Sequence, residues 1–333
     1  MTNKSRQKMS PAVVAGIQEE MRQDDDVFVM GEDVGEFGGI YESTDGLIDE
    51  FGSDRILDMP ISETGFIGAG VGTALSDLRP VVELMYVDFS GVAWNQIYNE
   101  MAKPSYMSGG SVSVPMVLMT AVGKTPYQDP THGQTLYGMF AHMPGMKVVV
   151  PSCPYDAKGL MQSAIRDNDP TVYMFHKQLM LGMFDFAEDI DDDAPAESYT
   201  LPIGEADIKR TGTDVTIVTL GYYVHKALKA ARQLETAGID AEVLDLRSLV
   251  PLDEDAVIKS VQKTDALLVV DEDYQSFGVS GEIITRATEN VDSNFRASRL
   301  ALPDTPIPYS PALKEELYPD VENIVTAAQE LAE

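Results

Sequence analysis

The chain has 333 residues, of which 44% are hydrophobic and 23% charged, a composition that predicts a globular protein large enough for two domains. Acidic residues outnumber basic ones by 54 to 24, so the formal net charge is -30. A field of this sign repels nucleic acid and anionic membranes, which excludes both as partners.

The first half of the sequence predicts a parallel sheet. Ser10 and Pro11 precede an amphipathic run, which predicts a first helix. Short apolar runs rich in strand-forming residues follow at 27–30, 81–87, 114–122, 146–151 and 171–175. Apolar residues at helical spacing predict helices over 89–103 and 154–167. This alternation of strands and helices is typical of an α/β fold with a parallel sheet.

A second, smaller α/β domain is predicted after an acidic connection. Residues 185–202 contain two prolines and lose hydrophobic periodicity, which favours a linker. Strand-like runs resume at 214–220, 241–246 and 266–271, and a helical pattern covers 225–238.

A glycine-rich stretch, GFIGAGVGT at 65–73, only partly fits a dinucleotide-binding fingerprint. Thr73 stands where the third glycine belongs, and a proline-containing loop precedes the stretch instead of a strand. The stretch instead predicts a helix whose small residues permit close packing. Ser62 is a candidate cap for this helix, and the helix dipole would stabilise the charge of Glu63 at its start.

His132 has the surroundings of a functional residue. It lies in TPYQDPTHGQT (125–135), a long polar loop between a strand and a helix, and loops of this kind often carry function. His142, His176 and His225 lack such surroundings. The sequence contains no HExxH, paired-cysteine or GxSxG motif, so zinc-protease and serine-hydrolase functions have no support.

Several features bear on the compartment. No apolar run approaches the roughly 18 residues of a membrane span, and the start MTNKSRQKMS lacks the apolar segment of a secretory signal. The single cysteine, Cys153, excludes an internal disulfide and agrees with a reducing compartment. We expect a cytoplasmic protein. Normal apolar content beside so much acid suggests adaptation to high salt, with a moderately acidic mesophile protein as the alternative.

Six stretches together resemble one family. They are GEDVGEFGGIY (31–41), PISETGFIGAGVG (60–72), DFSGVAWNQIYNEMAKPSYMSGG (88–110), THGQTLYGMFAHMPGMKVVVPSCPYDAKGL (131–160), AIRDNDP (164–170) and DLRSLVPLDEDAVIKSVQKT (245–264). The chain resembles the beta subunit of thiamine-diphosphate-dependent 2-oxo acid dehydrogenases, which include pyruvate, branched-chain 2-oxo acid and acetoin dehydrogenases. The resemblance implies a transketolase-like pyrimidine-binding α/β domain over 8–190, a linker over 191–202 and a smaller transketolase C-terminal α/β domain over 203–333.

The resemblance also implies a thiamine diphosphate site. Glu63 matches the family's cofactor-activating glutamate, whose carboxyl group hydrogen-bonds a pyrimidine ring nitrogen. Phe89 matches the aromatic residue that packs on the pyrimidine ring. Ile61 and Met85 match positions that line the same pocket, and Glu32 matches a family acid near the pyrimidine.

His132 matches the histidine of the family's usual HSQ motif. The resemblance implies that this histidine assists proton transfer or the approach of the lipoyl group. The motif here is His132-Gly133-Gln134, so Gly133 departs from the family pattern. Ala164, Asp167 and Asp169 fall where some relatives hold a potassium ion, but a polar turn explains them equally well, and we assign no metal there.

The implied partners follow from a missing motif. The superfamily usually holds Mg²⁺ and the diphosphate with a GDG motif, which this sequence lacks. The resemblance therefore implies an alpha subunit that supplies this half of the site, an assembly of two alpha and two beta chains, and a dihydrolipoyl acyltransferase core. A split transketolase-like two-carbon transferase subunit is the alternative. The presence of Glu63, Phe89 and His132 argues against a noncatalytic subunit.

Overall fold

The computed structural model describes residues 8–125, 128–183, 190 and 194–333. The predicted linker therefore lies partly outside the described residues, at 191–193, as does most of the acidic stretch that precedes it, at 184–189. Among the described helices, none combines the length and apolar composition that crossing a membrane requires.

The described residues up to 183 alternate strands with helices. In chain order the elements are α1 (Ser10–Gln23), β1 (Val27–Gly31), α2 (Leu47–Phe51), β2 (Ile56–Asp58), α3 (Glu63–Ala74), β3 (Arg79–Tyr86), a 3₁₀ turn (Val87–Gly91), a π-helical segment (Gln96–Met101), α4 (Pro104–Met107), β4 (Val117–Val122), α5 (Tyr137–Ala141), β5 (Lys147–Val149), α6 (Pro154–Arg166), β6 (Thr171–His176) and α7 (Lys177–Met180).

The residues from 194 onward continue this alternation. The elements are β7 (Asp207–Arg210), β8 (Val215–Thr219), α8 (Tyr222–Thr236), β9 (Ala241–Asp245), β10 (Ser248–Val250), α9 (Glu254–Thr264), β11 (Ala266–Tyr274), α10 (Val279–Asn290), β12 (Arg296–Leu302), α11 (Pro311–Leu317) and α12 (Val321–Ala332).

Two mostly parallel sheets organise the fold. The larger sheet has the order β10-β5-β6-β4-β3-β1-β2 and is parallel except where β10 meets β5. The smaller sheet has the order β12-β11-β8-β9-β7 and is parallel except where β7 meets β9. The predicted α/β class is confirmed.

The larger sheet is covered on both faces, which explains its continuous apolar strands. Val81 and Val117 belong to the core cluster that contains residues of α1 and α6. Their chain neighbours Val82 and Leu118 point the other way and belong to the cluster that contains residues of α3. Successive side chains of a strand alternate between faces, so each buried strand contributes to both clusters.

A buried ion network joins the two sheets. Asp156 of α6 lies 2.9 Å from Lys209 Nζ and 2.6 Å from Arg247 Nη2, and Asp245 at the end of β9 lies 3.8 Å from Lys209 Nζ. Burial raises the pKa of Asp245 to about 6. Burial also acts on Asp156, but the charges of Lys209 and Arg247 hold its pKa below the ordinary value. Because a buried charge without its partner is costly, this network fixes how the halves pack.

The chain segment at 194–202 has neither helix nor strand, yet it packs along α6. Lys158 Nζ donates to the carbonyl oxygens of Pro195 at 2.7 Å and Glu197 at 3.0 Å. The ring of Tyr199 stacks on that of Tyr155 with centroids 4.8 Å apart. The connection between the halves is therefore held by specific contacts over this part.

Three predicted details differ from the structure. The strand predicted from residue 114 begins at Val117, after Pro115, which has no N–H for a sheet ladder. The helix predicted over 89–103 starts as a 3₁₀ turn and includes a π-helical segment. The prediction missed this because the spacing of apolar residues does not distinguish these helix types from an α-helix. Ser62 occupies the N-cap position of α3, but its hydroxyl donates to the Pro60 carbonyl at 2.8 Å, so the predicted cap is wrong.

Helix α3 forms as the glycine-rich stretch predicts, and Gly70 lets it approach β3. A Cβ atom on Gly70 would lie 2.7 Å from Val82 Cγ2 and 3.2 Å from Met116 Cε, so a side chain does not fit without a shift. The packing explains the small residue without any nucleotide.

Replacing Gly70 with alanine should destabilise the chain relative to Gly72→Ala. Each alanine gains about 1 kcal/mol of helix propensity, but a Cβ atom on Gly72 has no neighbour within 4 Å, whereas one on Gly70 meets Val82. Overpacking should place the unfolding free energy of Gly70→Ala about 1–3 kcal/mol below that of Gly72→Ala. Urea unfolding measures the difference, and equal values would contradict the close packing.

Candidate active site

Four neighbouring parallel strands place the candidate residues at one edge of the larger sheet. The strands are β2, β1, β3 and β4, in spatial order. Glu32 directly follows β1, and Glu63 lies beyond the loop after β2. Phe89 lies in the 3₁₀ turn after β3, and His132 lies in the loop after β4. The carboxyl ends of parallel strands meet at one edge, which is where α/β sheets bind ligands.

Two carboxyl groups lie near each other at this edge. Glu63 is the first residue of α3 and is only 8% exposed, and the described residues supply no hydrogen bond to its carboxyl group. Burial raises the pKa of Glu32, and the charge of Glu63 raises it further, against a hydrogen bond from the Ser62 backbone. Oε1 of Glu32 is buried without a hydrogen-bond partner. Burial and the charge of Glu63 thus make Glu32 easier to protonate than a free carboxyl group, and its Oε1 has no partner among the described residues.

Phe89 and His132 meet in an aromatic cluster with Tyr86. The ring centroids of Phe89 and His132 are 5.2 Å apart, and Tyr86 lies 5.4 Å from Phe89 and 5.1 Å from His132. All three pairs have edge-to-face geometry, which is favourable for aromatic rings. The cluster fixes the imidazole beside the residue predicted to pack on a cofactor ring.

The imidazole of His132 is held from one side by its own loop. Its Nδ1 lies 2.9 Å from Asp129 Oδ1 and 2.9 Å from Thr131 Oγ1. Hydrogen bonds from Thr131 and His132 lower the pKa of Asp129 to about 2. The acid in this contact is therefore ionised throughout the physiological pH range.

Two buried lysines hold the backbone of the His132 loop. Lys177, the first residue of α7, donates from Nζ to the His132 carbonyl oxygen and lies 4.7 Å from the centre of the Tyr86 ring. Lys314 of α11 donates to the Thr125 carbonyl at 2.8 Å and the Gln128 carbonyl at 2.5 Å. Burial lowers the pKa of Lys177 to about 8. The loop thus depends on ammonium groups from both halves of the chain.

The glutamine that follows His132 also links the halves. Gln134 Nε2 donates to Asp88 Oδ1 at 2.8 Å, and the hydroxyl of Tyr274 on β11 donates to Gln134 Oε1 at 3.4 Å. The other carboxylate oxygen of Asp88, Oδ2, is buried without a hydrogen-bond partner.

The two predicted apolar pocket residues have different surroundings. Met85 is partly buried and packs against the core, on the strand that leads to Phe89. Ile61 is 84% exposed, so the described residues do not bring it into a pocket. Ile61 could line a pocket only if a ligand or another chain covered its side chain.

Lysine and arginine side chains of the same chain contact the turn at 167–169. Lys147 Nζ lies 2.5 Å from Asp167 Oδ2 and 3.4 Å from Asp169 Oδ2. Arg79 donates to the carbonyl oxygens of Ile165 at 2.9 Å and Asp167 at 3.0 Å. In the described part of the chain, no group of three or more His, Cys, Asp or Glu side chains is placed to hold a metal ion.

Two transketolase family models together match most of the chain. The family model described as "Transketolase, pyrimidine binding domain" matches residues 6–181, and "Transketolase, C-terminal domain" matches residues 204–324. The chain is 40% identical over 325 residues to the 2-oxoisovalerate dehydrogenase subunit beta of Bacillus subtilis (strain 168), covering 97% of both chains. The chain belongs to the transketolase-like beta subunits of 2-oxo acid and acetoin dehydrogenases.

Other members of this beta-subunit family are about as similar. The acetoin:2,6-dichlorophenolindophenol oxidoreductase subunit beta of B. subtilis (strain 168) is 41% identical, covering 97% of this chain and 96% of the relative. The pyruvate dehydrogenase E1 component subunit beta of the same organism is 39% identical, covering 98% of each. A solved structure of a split gene transketolase, an inactive beta4 tetramer, matches with a TM-score of 0.79 at 21% identity over 97% of both chains, which confirms the fold.

Sequence reasoning missed several residues that surround the predicted site residues. Tyr86, Asp88 and Asp129 contact His132 or its loop, and Lys177 and Lys314 hold the loop backbone. Lys177 gave one usable signal, since it interrupts the apolar stretch 171–181. Lys314 gave none, because it lies far along the chain from the loop.

The buried ammonium group of Lys177 should make stability depend on pH. Its pKa is about 8 in the folded chain and about 10.4 in an unfolded one, so the unfolded state holds more protons between these values. Stability relative to Lys177→Met should therefore rise from pH 8 to pH 10, by on the order of 1–3 kcal/mol. Chemical unfolding at both pH values measures this difference. Lys259→Met, which removes an exposed lysine, is the control, and an equal rise there would contradict the prediction.

Proposed function

We propose that this chain is the beta subunit of a 2-oxo acid or acetoin dehydrogenase and supplies the pyrimidine-side half of a thiamine diphosphate site. The observation that carries the proposal is the meeting of Glu32, Glu63, Phe89 and His132 at one edge of four parallel strands. Identities of 39–41% to beta subunits for pyruvate, 2-oxoisovalerate and acetoin support the substrate class. The matches over 6–181 and 204–324 support the domain bounds 8–190, 191–202 and 203–333.

The residues present fit one end of this cofactor. A pyrimidine offers ring nitrogens and an amino group, and the site offers the carboxyl group of Glu63 and the unpartnered buried Oε1 of Glu32. Phe89 offers a flat apolar face beside them. Met85 and Ile61 are the proposed apolar lining. The ligand would thus supply the donors and the contacts that these side chains lack in the isolated chain.

Each residue has a proposed role. Thiamine diphosphate, when bound, supplies the carbon nucleophile that attacks the substrate carbonyl. Glu63 would hydrogen-bond the pyrimidine ring and share a proton with it, and Glu32 would accept a hydrogen bond near the same ring. Phe89 would orient the ring by packing. His132 would give or take a proton at the reacting end, or guide the lipoyl group that accepts the acyl product.

The proposed partner is an alpha subunit that holds the diphosphate and Mg²⁺. Several large apolar side chains close to the site in sequence are exposed in the isolated chain: Ile61 at 84%, Val92 at 61%, Tyr106 at 90% and Met107 at 71%. Exposed apolar side chains of this kind are typical of a protein interface. We further propose two copies of each chain and docking on a dihydrolipoyl acyltransferase core. A cytoplasmic location stays a prediction.

A split transketolase-like transferase is the less supported alternative. The solved split gene transketolase is similar at 21% identity, which speaks only for the fold. The relatives at about 40% identity are all named as dehydrogenase or oxidoreductase subunits. Turnover of sugar phosphates by the complete assembly would favour the alternative.

Alone, the chain should be inactive, and an alpha partner should create both cofactor binding and turnover. The physical reason is that the described residues offer groups suited to the pyrimidine end, while the sequence lacks the GDG motif for the diphosphate. Calorimetry with thiamine diphosphate and Mg²⁺, and artificial-acceptor reduction with a panel of 2-oxo acids and acetoin, should be run on each chain and on the assembly. Tight binding and full turnover by this chain alone would contradict the proposal.

Glu63→Gln is the matched variant for that experiment. It keeps the size of the side chain but cannot share a proton, so turnover of the assembly should fall by on the order of a hundredfold or more. Assembly with the alpha chain should persist, since the substitution removes no described hydrogen bond. Near-normal turnover would remove Glu63 from the mechanism.

We also propose that the protein is adapted to high salt. The net charge of -30 places many carboxylates near one another, and salt screens their repulsion. The melting temperature should therefore rise from dilute buffer to molar potassium chloride. An unchanged melting temperature would support the mesophile alternative and leave the enzymatic proposal intact.

A further inference from the structure

We propose that Asp129 is a positioning residue that holds His132 with its proton on Nδ1 and its Nε2 free to accept a proton. The effect on turnover rests on the proposed function, whereas the tautomer is a property of the chain itself.

The contact is short and its donor can be assigned. Asp129 Oδ1 accepts from Thr131 Oγ1 at 2.7 Å and lies 2.9 Å from His132 Nδ1. A carboxylate has no proton to donate, so a hydrogen bond between Nδ1 and Asp129 requires the hydrogen on Nδ1. Thr131 Oγ1 also lies 2.9 Å from Nδ1, but its hydroxyl donates to Asp129 Oδ1. The low pKa of Asp129, about 2, means that the carboxylate remains the acceptor at any working pH.

The other ring nitrogen is left open. The described residues place no hydrogen bond on His132 Nε2, and the side chain is 37% exposed. With Nδ1 protonated, Nε2 carries a lone pair and can accept a proton. The edges and faces of Tyr86 and Phe89 restrict the ring, and Lys177 fixes the backbone carbonyl of the same residue.

In this tautomer, His132 exchanges protons with the substrate through Nε2. His132 takes one proton at Nε2 from the reacting group and becomes positively charged, with the Nδ1 proton still shared with Asp129. The carboxylate does not receive the proton and keeps its contact with Nδ1 at 2.9 Å. When His132 returns the proton, the original tautomer is restored. Asp129 therefore acts through His132 and does not touch the substrate.

The sequence context makes this pair specific to the loop. Asp129 stands three residues before His132, and the intervening Pro130-Thr131 forms a turn in which the Thr131 N–H also donates to Asp129 Oδ1 at 2.9 Å. The carboxylate is thereby oriented by the backbone before it meets the imidazole. The groups that contact Nδ1, Asp129 and Thr131, both come from the N-terminal side of the histidine.

The first test reads the tautomer directly. Full-length chain labelled with ¹⁵N-histidine should show, above the titration of the ring, His132 with protonated Nδ1 and unprotonated Nε2, and His132→Gln assigns the signals. In Asp129→Ala the Nε2-protonated form should appear. In Asp129→Asn the amide oxygen still accepts from Nδ1, so the original tautomer should persist. A protonated Nε2 in the native chain, or an unchanged tautomer in Asp129→Ala, would overturn the proposal.

The second test reads turnover. In the assembly with the alpha chain, Asp129→Ala should lower kcat by about tenfold or more, with little change in KM, because proton transfer and not binding is affected. Asp129→Asn, which keeps the tautomer, should retain a near-native kcat. Glu36→Ala removes an exposed acid and should leave kcat unchanged. Native kcat in Asp129→Ala would overturn the catalytic part. If no substrate is turned over by the native assembly, the proposed function fails while the tautomer result still stands.

The side chain of Asp129 is 49% exposed, so the variants should fold. Equal melting temperatures of native chain and variants confirm this. If Asp129→Ala lowers kcat but keeps the native tautomer of His132, the loss of turnover has another cause. That result would count against Asp129 as a positioning residue.

Discussion

The parallel register of β2, β1, β3 and β4 is the constraint on which the site depends. Val29 pairs with Ile56 on one side and Val81 on the other, and Val81 pairs with Val117. Because side chains alternate between the faces, a slip of one residue in any pair would turn the residues at the strand end toward the wrong face. The distances among Glu32, Glu63, Phe89 and His132 are therefore set by the core of the sheet.

Buried cations are the cost of presenting His132 on a loop. Its carbonyl and those of Thr125 and Gln128 need donors, and Lys177 and Lys314 supply them from opposite directions. Removing an ammonium group from water is unfavourable, which is why the pKa of Lys177 falls. A neutral donor would cost less desolvation free energy on burial, but it would not reach several carbonyl groups at once. The loop thus gains a fixed backbone at some loss of stability.

Sequence reasoning recovered the architecture because buried parallel strands read as continuous apolar runs, as at 171–175. It placed Glu63 and His132 through motif resemblance, and the parallel sheet explains why they share an edge. It could not find Lys314 or Tyr274, since their contacts with the loop span more than 130 residues of chain. Nor could it foresee that Ser62 would bond Pro60, because a cap depends on backbone angles that composition does not specify.

Strand β10 belongs to one half of the chain by sequence and to the other by space. It lies at 248–250, well beyond the linker, yet Val250 and Ser248 pair with Val148 and Val149 of β5 in the larger sheet. An evolutionary exchange of C-terminal halves between relatives would therefore replace an edge strand of the pyrimidine-side sheet at the same time. A donated half whose β10 did not match would leave β5 as an open edge, which invites pairing with other chains. Recombination at the linker is thus constrained by a three-residue strand far from the crossover point.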